Sequence, residues 1–235
     1  FIKVIMDLKL EDVAQLLRVS ENEIHQWLLE GKIPSYRLAD EVRFSRLELE
    51  NWLLHQGMPS IDSNDSTSHL SEYRDENLHG ILKFDFYRAT FRGEIFQENT
   101  LNSKDQIIAK ATKRIGQKYP LDADYLHQLL VAREKLNPTG LGHGIAVPHA
   151  RDFLINTHFD AIFIVYPNEP LAWGSLDKEP VHTLFFLFAY SDKSHLHLLA
   201  KIAGFCQQKH HLKLLQSRPS KAQLLEAILR WERQL

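Results

Sequence analysis

Apolar residues at Leu10, Val13, Ala14, Leu16 and Leu17 recur at the spacing of one helical face. Arg18-Val19-Ser20 interrupts the run. Ser20 followed by Glu23 is a capping-box pattern, and it predicts a second helix that buries Ile24, Trp27 and Leu28. Gly31 is placed to supply the left-handed residue after that helix, and Ile33-Pro34 ends it. Tyr36 to Leu38 and Val42 to Phe44 flank Ala39-Asp40-Glu41, which reads as a β-hairpin turn. Ser45 with Glu48 repeats the capping box before a helix carrying Leu47, Leu49, Trp52 and Leu53. Periodicity is then lost from Met58 to Glu76, and the polar stretch Pro59 to Ser68 reads as a linker. Beyond it, Ser103 with Gln106 predicts a helix to about Lys118, closed by Tyr119-Pro120. Asp122 predicts the next, carrying Tyr125, Leu126, Leu129, Leu130 and Arg133. Asp160 to Tyr166 and Val181 to Tyr190 are near-continuous apolar runs, the signature of strands buried on both faces. Ser194 is expected to open a helix with Leu198, Leu199, Ile202 and Phe205, and Ser220 with Gln223 to cap a last one, Lys221 to Glu232.

This order divides the chain into a module over residues 1–57, a linker over 58–78 and an α/β domain over 79–235, in which helices flank a sheet. The 235-residue length suits one small and one mid-sized domain. With 44% hydrophobic and 25% charged residues, the composition is that of an ordinary globular protein and excludes disorder along the whole length. The longest apolar run is Leu184 to Tyr190, too short for a membrane span. The N-terminus has no secretory pattern, and it starts with Phe1, so trimming at that end is expected. A single cysteine, Cys206, allows no intrachain disulfide and fits a reducing, cytoplasmic setting; its helical position is an apolar one. The net charge of −2 argues against nonspecific polyanion binding by the chain as a whole.

The order helix, three-residue turn, helix, β-wing, helix resembles the winged helix-turn-helix of the MerR and excisionase families. Leu10 to Ser20, Ile24, Trp27, Gly31 to Arg37, Arg43-Phe44-Ser45 and Leu49 to Leu53 carry the likeness, over residues 8–56. The resemblance implies that the second helix enters a major groove and that the wing lies along the backbone. Asn22, His25 and Gln26 are then the candidate base readers, and Lys32, Arg37, Arg43 and Arg46 the candidate phosphate contacts. Through Gly57, however, seven basic residues face ten acidic ones, a balance of −3 that is poor for a lone DNA-binding module. Docking to a protein, or dimerisation, is the other reading of the same module.

The densest motif is the nineteen-residue run Arg133 to Arg151, Arg-Glu-Lys-Leu-Asn-Pro-Thr-Gly-Leu-Gly-His-Gly-Ile-Ala-Val-Pro-His-Ala-Arg. It resembles the active-site segment of the phosphotransferase-system IIA domains of the fructose, mannitol and nitrogen-regulatory type, with a mixed sheet flanked by helices. Phe86 to Gly93 and Ser194 to Ala200 extend the likeness. A phosphoryl carrier needs a neutral imidazole nitrogen, exposed and aimed at phosphorus, and donors for the equatorial oxygens. Pro148 stiffens the chain into His149, and Gly140, Gly142 and Gly144 allow the backbone close to a phosphate. Arg133 has the fork to hold two oxygens, or else caps its own helix; His195 stands at a helix N-terminus, where an anion is favoured. By the resemblance, His149 is phosphorylated through Nε2, Arg133 and His195 assist, and Thr139, Gly142 and Gly144 bind phosphate. His143 is a candidate for the rim. The histidines lack zinc-like spacing, so neither a metal nor another cofactor is expected.

Three functions remain open on the sequence. One is a regulator that takes phosphate from a phosphocarrier resembling HPr or its nitrogen-related counterpart and conveys it to DNA, as a homodimer or through a regulated protein target. Another is a transport component that passes phosphate to a IIB or permease domain. The third is an interaction protein that responds to phosphate without binding DNA.

Overall fold

The computed structural model describes residues 8–38, 41–44, 49, 52–53, 84–98, 103–119, 121–150 and 160–235. The linker over 58–78, the Ser45–Glu48 capping box and Arg46 lie outside the described residues.

In the N-terminal module α1 (Leu10–Leu17) buries Val13, Ala14, Leu16 and Leu17. The Ser20 hydroxyl accepts from the Glu23 amide and the Glu23 carboxylate accepts from the Ser20 amide, which starts α2 (Glu21–Leu29) where its capping box predicts. Gly31 follows with φ 64°, as the helix stop requires. Strands β1 (Tyr36–Leu38) and β2 (Glu41–Arg43) pair antiparallel, with Leu38 opposite Glu41. Glu41, expected in the turn, therefore belongs to the wing strand. Trp27 and Trp52 pack with ring centroids 6.0 Å apart and close the module's core.

The larger domain runs α3 (Asp85–Arg92), β3 (Ile95–Glu98), α4 (Lys104–Lys118), α5 (Ala123–Leu136), β4 (Gly140–Gly142), β5 (Ile145–Ala146), β6 (Ala161–Pro167), β7 (Thr183–Phe188), α6 (Asp192–Cys206), α7 (Lys209–Gln216) and α8 (Lys221–Glu232). Its sheet has the order β3-β6-β7-β5-β4 and is mixed. β3 lies parallel to β6 and β5 parallel to β7, while β6–β7 and β4–β5 are antiparallel. Every residue of β6 and β7 is buried, because helices cover both faces. The alternation of side chains sorts them into two cores. Ile162, Ile164, Tyr166, Phe185 and Leu187 face one, with Phe86 and the residues of α6 and α8. Phe163, Val165, Leu184 and Phe186 face the other, with Ile107, Ile108, Ala111, Leu126 and Leu130 of α4 and α5. The first core continues into the N-terminal module, where α1 packs on α6.

Gly93, after α3, lies so close to β6 that a Cβ there would stand 1.8 Å from the Ile162 carbonyl oxygen. The expected caps at Ser103, Asp122 and Ser220 are formed. Helix α6 starts two residues earlier than Ser194, because the Ser191 hydroxyl accepts the Ser194 amide and acts as the cap. Strand β3 and helix α7 have no strong pattern of their own and were not anticipated. Cys206 is buried on α6, and burial pushes its thiol pKa up, as its apolar position implies.

Candidate functional site

The parallel pairing of β5 with β7 brings the site together. Ile145 lies opposite Thr183, and the pairing runs on until His149 lies opposite Leu187. The Leu187 amide donates to the Pro148 carbonyl at 3.0 Å. Chain from the end of β7 then turns into α6, whose first turn carries His195. Both imidazoles thus stand at the carboxyl ends of parallel strands, the usual place for a ligand site in such sheets. Their ring centroids are 4.9 Å apart with planes at 65°. His149 Nδ1 makes a 2.8 Å hydrogen bond with the Val147 carbonyl. A carbonyl can only accept, so Nδ1 carries the proton and the lone pair is on Nε2.

Two expectations need correcting. His149 is 1% exposed and His195 2%, so the ring expected at the surface is covered. His195 is the fourth residue of α6, and its amide donates to the Ser191 carbonyl at 3.0 Å. Its backbone N–H therefore already has a helical acceptor, and only the side chain faces His149.

Arg133 is also buried, near the C-terminus of α5. Its guanidinium donates to the Asn137 carbonyl at 2.8 Å, which is the helix-capping arrangement. Thr139 is fully buried in a network that sequence reading missed. Its hydroxyl donates to Glu134 at 2.6 Å and accepts from the Trp173 indole at 3.3 Å, while its amide donates to the same carboxylate at 2.9 Å. Lys104 donates to Glu134 at 3.1 Å and holds the charge of that buried carboxylate. Thr139 so anchors the start of β4, and its proton goes to a carboxylate.

Gly142 and Gly144, expected to cradle phosphate, lie at the other end of β5. From Thr183 to Leu187 the neighbouring strand advances roughly 13 Å, which separates this turn from His149. Their φ values of 90° and 74° serve the β4–β5 turn. There the His143 amide donates to Asp177 at 2.7 Å, tying the turn to the loop before β7. His143, Asp177 and Glu179 bring ligand atoms within 4.8 Å of one another, all exposed, a grouping that the sequence spacing did not suggest.

In the N-terminal module, Asn22, His25 and Gln26 are exposed on α2, as a reading helix requires. Gln26 donates to Glu30 at 2.9 Å. Two of the proposed phosphate contacts are engaged by carboxylates: Lys32 pairs with Glu30 at 2.6 Å, and Arg43 pairs with Glu41. Arg37 lies in β1, and its side chain, like all of Arg46, is outside the described residues. No helix among the described residues is long and apolar enough to cross a membrane.

Comparison with known proteins agrees with both halves. A helix-turn-helix domain profile matches residues 8–57. A nitrogen regulatory protein of Pseudomonas aeruginosa is 31% identical over 130 residues, 54% of this chain and 83% of that protein. The transcriptional regulator ManR of Bacillus subtilis is 33% identical over 94 residues, 40% of this chain and 13% of that protein. Among solved structures, the nitrogen regulatory protein IIA-Ntr of Neisseria meningitidis superposes with a TM-score of 0.53 at 26% identity, covering 58% of this chain and 93% of that one. The profile of the phosphoenolpyruvate-dependent sugar phosphotransferase system, EIIA 2, matches residues 91–231, well over half of the sequence, and the chain belongs to that family.

Proposed function

We propose that His149 accepts a phosphoryl group from a phosphocarrier resembling HPr or its nitrogen-related counterpart, and that the helix-turn-helix module conveys this state to DNA. The hydrogen bond from His149 Nδ1 to the Val147 carbonyl, with the His195 ring beside it, carries the reading. The bond leaves the Nε2 lone pair as the nucleophile. An N–P bond forms at Nε2 as the bond between phosphorus and the donor breaks, and the donor leaves with the electron pair of that bond. His195 donates to a phosphoryl oxygen, and the Nδ1–H bond to Val147 stabilises the positive charge that develops on the ring. Since the ring is covered, docking of the carrier must open a path to Nε2. The phosphorylated ring gains a charge of roughly −1.5 to −2, enough to alter what packs nearby.

Membership of the EIIA 2 family and the likeness to nitrogen regulatory proteins support the carrier role. A fused helix-turn-helix domain, and a segment shared with a transcriptional regulator, favour a regulatory output over a transport one. His149→Ala is expected to abolish labelling by phosphoenolpyruvate, enzyme I and a phosphocarrier. Label persisting at another residue overturns the assignment. On random genomic DNA, a gel shift that weakens with salt supports the DNA role, and phosphorylation should change its midpoint.

A further inference from the structure

Helix α6 is buried at twelve of its fifteen residues. Its helical phase carries two apolar stripes on opposite sides. Leu198, Ile202 and Phe205 form one, and Leu196, Ala200 and Ala203 the other, each at the i, i+4, i+7 spacing of a single face. The first stripe faces the helix's own domain, because the Phe205 ring packs edge-on against Phe86 of α3 and Trp231 of α8. A helix that packs on its own domain alone keeps a polar outer stripe, yet Leu196, Ala200 and Ala203 are 1%, 6% and 2% exposed. Among the described elements, the main neighbours of α6 are α1, α3 and α7. Helices α3 and α7 meet the Phe205 side, where His211 of α7 stacks on that ring. This leaves the outer stripe as the seat of α1, and residues of α1 and α6 share one buried cluster.

That seat lies beside the phosphoryl site. His195, whose ring is 4.9 Å from that of His149, immediately precedes Leu196. Ala200 follows about one helical turn later, roughly 6 Å along the axis from Leu196. A carrier that delivers phosphate must dock with its surface centred on His149 Nε2. Even a transient protein interface covers about 600 Å² on each partner, a disc of roughly 14 Å radius. Such a disc reaches across α6, a rod about 10–12 Å wide, and onto the ground that α1 holds. Helix α6 is not the part that yields. Lys201 pairs with Asp85 of α3 and Glu232 of α8, and His197 Nε2 lies 3.0 Å from Asp85, with all four residues buried. The N-terminal module is joined through residues 58–78, whose polar sequence reads as a linker, so the module is the part that can leave.

We infer that the helix-turn-helix module, seated on the outer stripe of α6, competes with the phosphocarrier for that face, so that the docked module restrains phosphate uptake and carrier docking releases the module. Asn22, His25 and Gln26 are exposed in the docked arrangement, so the restraint acts on His149 and leaves the reading face open. The competition rests on the carrier role proposed for His149; the seat of α1 on α6 does not.

The test compares the full chain with Ala200→Gln and Ala200→Glu, which put a polar or charged group under α1. Hydrogen exchange of residues 10–17 is expected to rise roughly threefold or more in both. Parent-like exchange there in the folded variants, folding being read by circular dichroism, overturns the seat. With phosphorylated HPr or its nitrogen-related counterpart as donor, labelling at limiting carrier is expected to be roughly tenfold faster in Ala200→Glu. At saturating carrier the two rates converge, because competition lowers only the fraction of chain open to the carrier. Equal rates at limiting carrier, in a variant whose α1 exchange has risen, overturn the competition. A second arm needs no substitution and serves if both variants fail to fold. Saturating unphosphorylated carrier is expected to raise the exchange of residues 10–17 in the parent, and unaltered or slower exchange overturns the competition. A parent and variants that take no label at His149 overturn the carrier role and the competition with it, while exchange in the variants still decides the seat.

Discussion

The Thr139 hydroxyl donates to Glu134 and accepts from Trp173, so this side chain holds β4 to α5. Thr139→Val keeps the shape and leaves a buried carboxylate oxygen without that donor. A loss of about 1–3 kcal/mol is expected, read from the urea midpoint. A midpoint equal to the parent's would show that the hydroxyl is dispensable for the fold. At this scale sequence reading found the two imidazoles and missed Glu134 as a hub. Glu134 stands within the nineteen-residue motif, but an acidic residue near a helix end gives no sign that it will be buried. Lys104, its counter-ion, lies 30 residues away in sequence, and only packing of α4 on α5 makes the pair.

Element boundaries followed local chemistry wherever a side chain caps a helix, as Ser20, Ser103, Asp122 and Ser220 do. The start of α6 was misplaced because Ser191 and Ser194 both suit a cap, and the chain leaving β7 selects the earlier one. β3 is four residues long and gains its identity by pairing with β6, which no short pattern announces. The close approach of α3 to that strand gives a sharp test. Gly93→Ala puts a methyl group into the Ile162 carbonyl, and backbone cannot step aside as a side chain can. A cost of about 1–3 kcal/mol or outright failure to fold is expected, measured by thermal melting. A melting temperature within a degree or so of the parent would refute the contact.

Across the whole molecule, acidity should act through three partly buried or buried histidines. Burial lowers the pKa of His182, His197 and His211 below the ordinary imidazole value. The unfolded chain then binds more protons than the folded one as pH falls. The stability these rings contribute is full above about pH 6.5 and is lost as pH falls toward their folded values. The urea midpoint should therefore drop between about pH 7 and 5.5, and a flat or rising midpoint would contradict it. Periodicity, caps and a dense glycine-proline-histidine motif were enough, in sequence, to specify two modules, most of their helices and central strands, and the ring proposed to accept the phosphoryl group, because those depend on neighbours a few residues apart. Tertiary structure alone decided that His149 is covered, that Gly142 and Gly144 stand a strand's length from it, and that α1 packs on α6. Those facts depend on which strands pair and which helices touch, contacts between residues up to two hundred positions apart that no local pattern encodes.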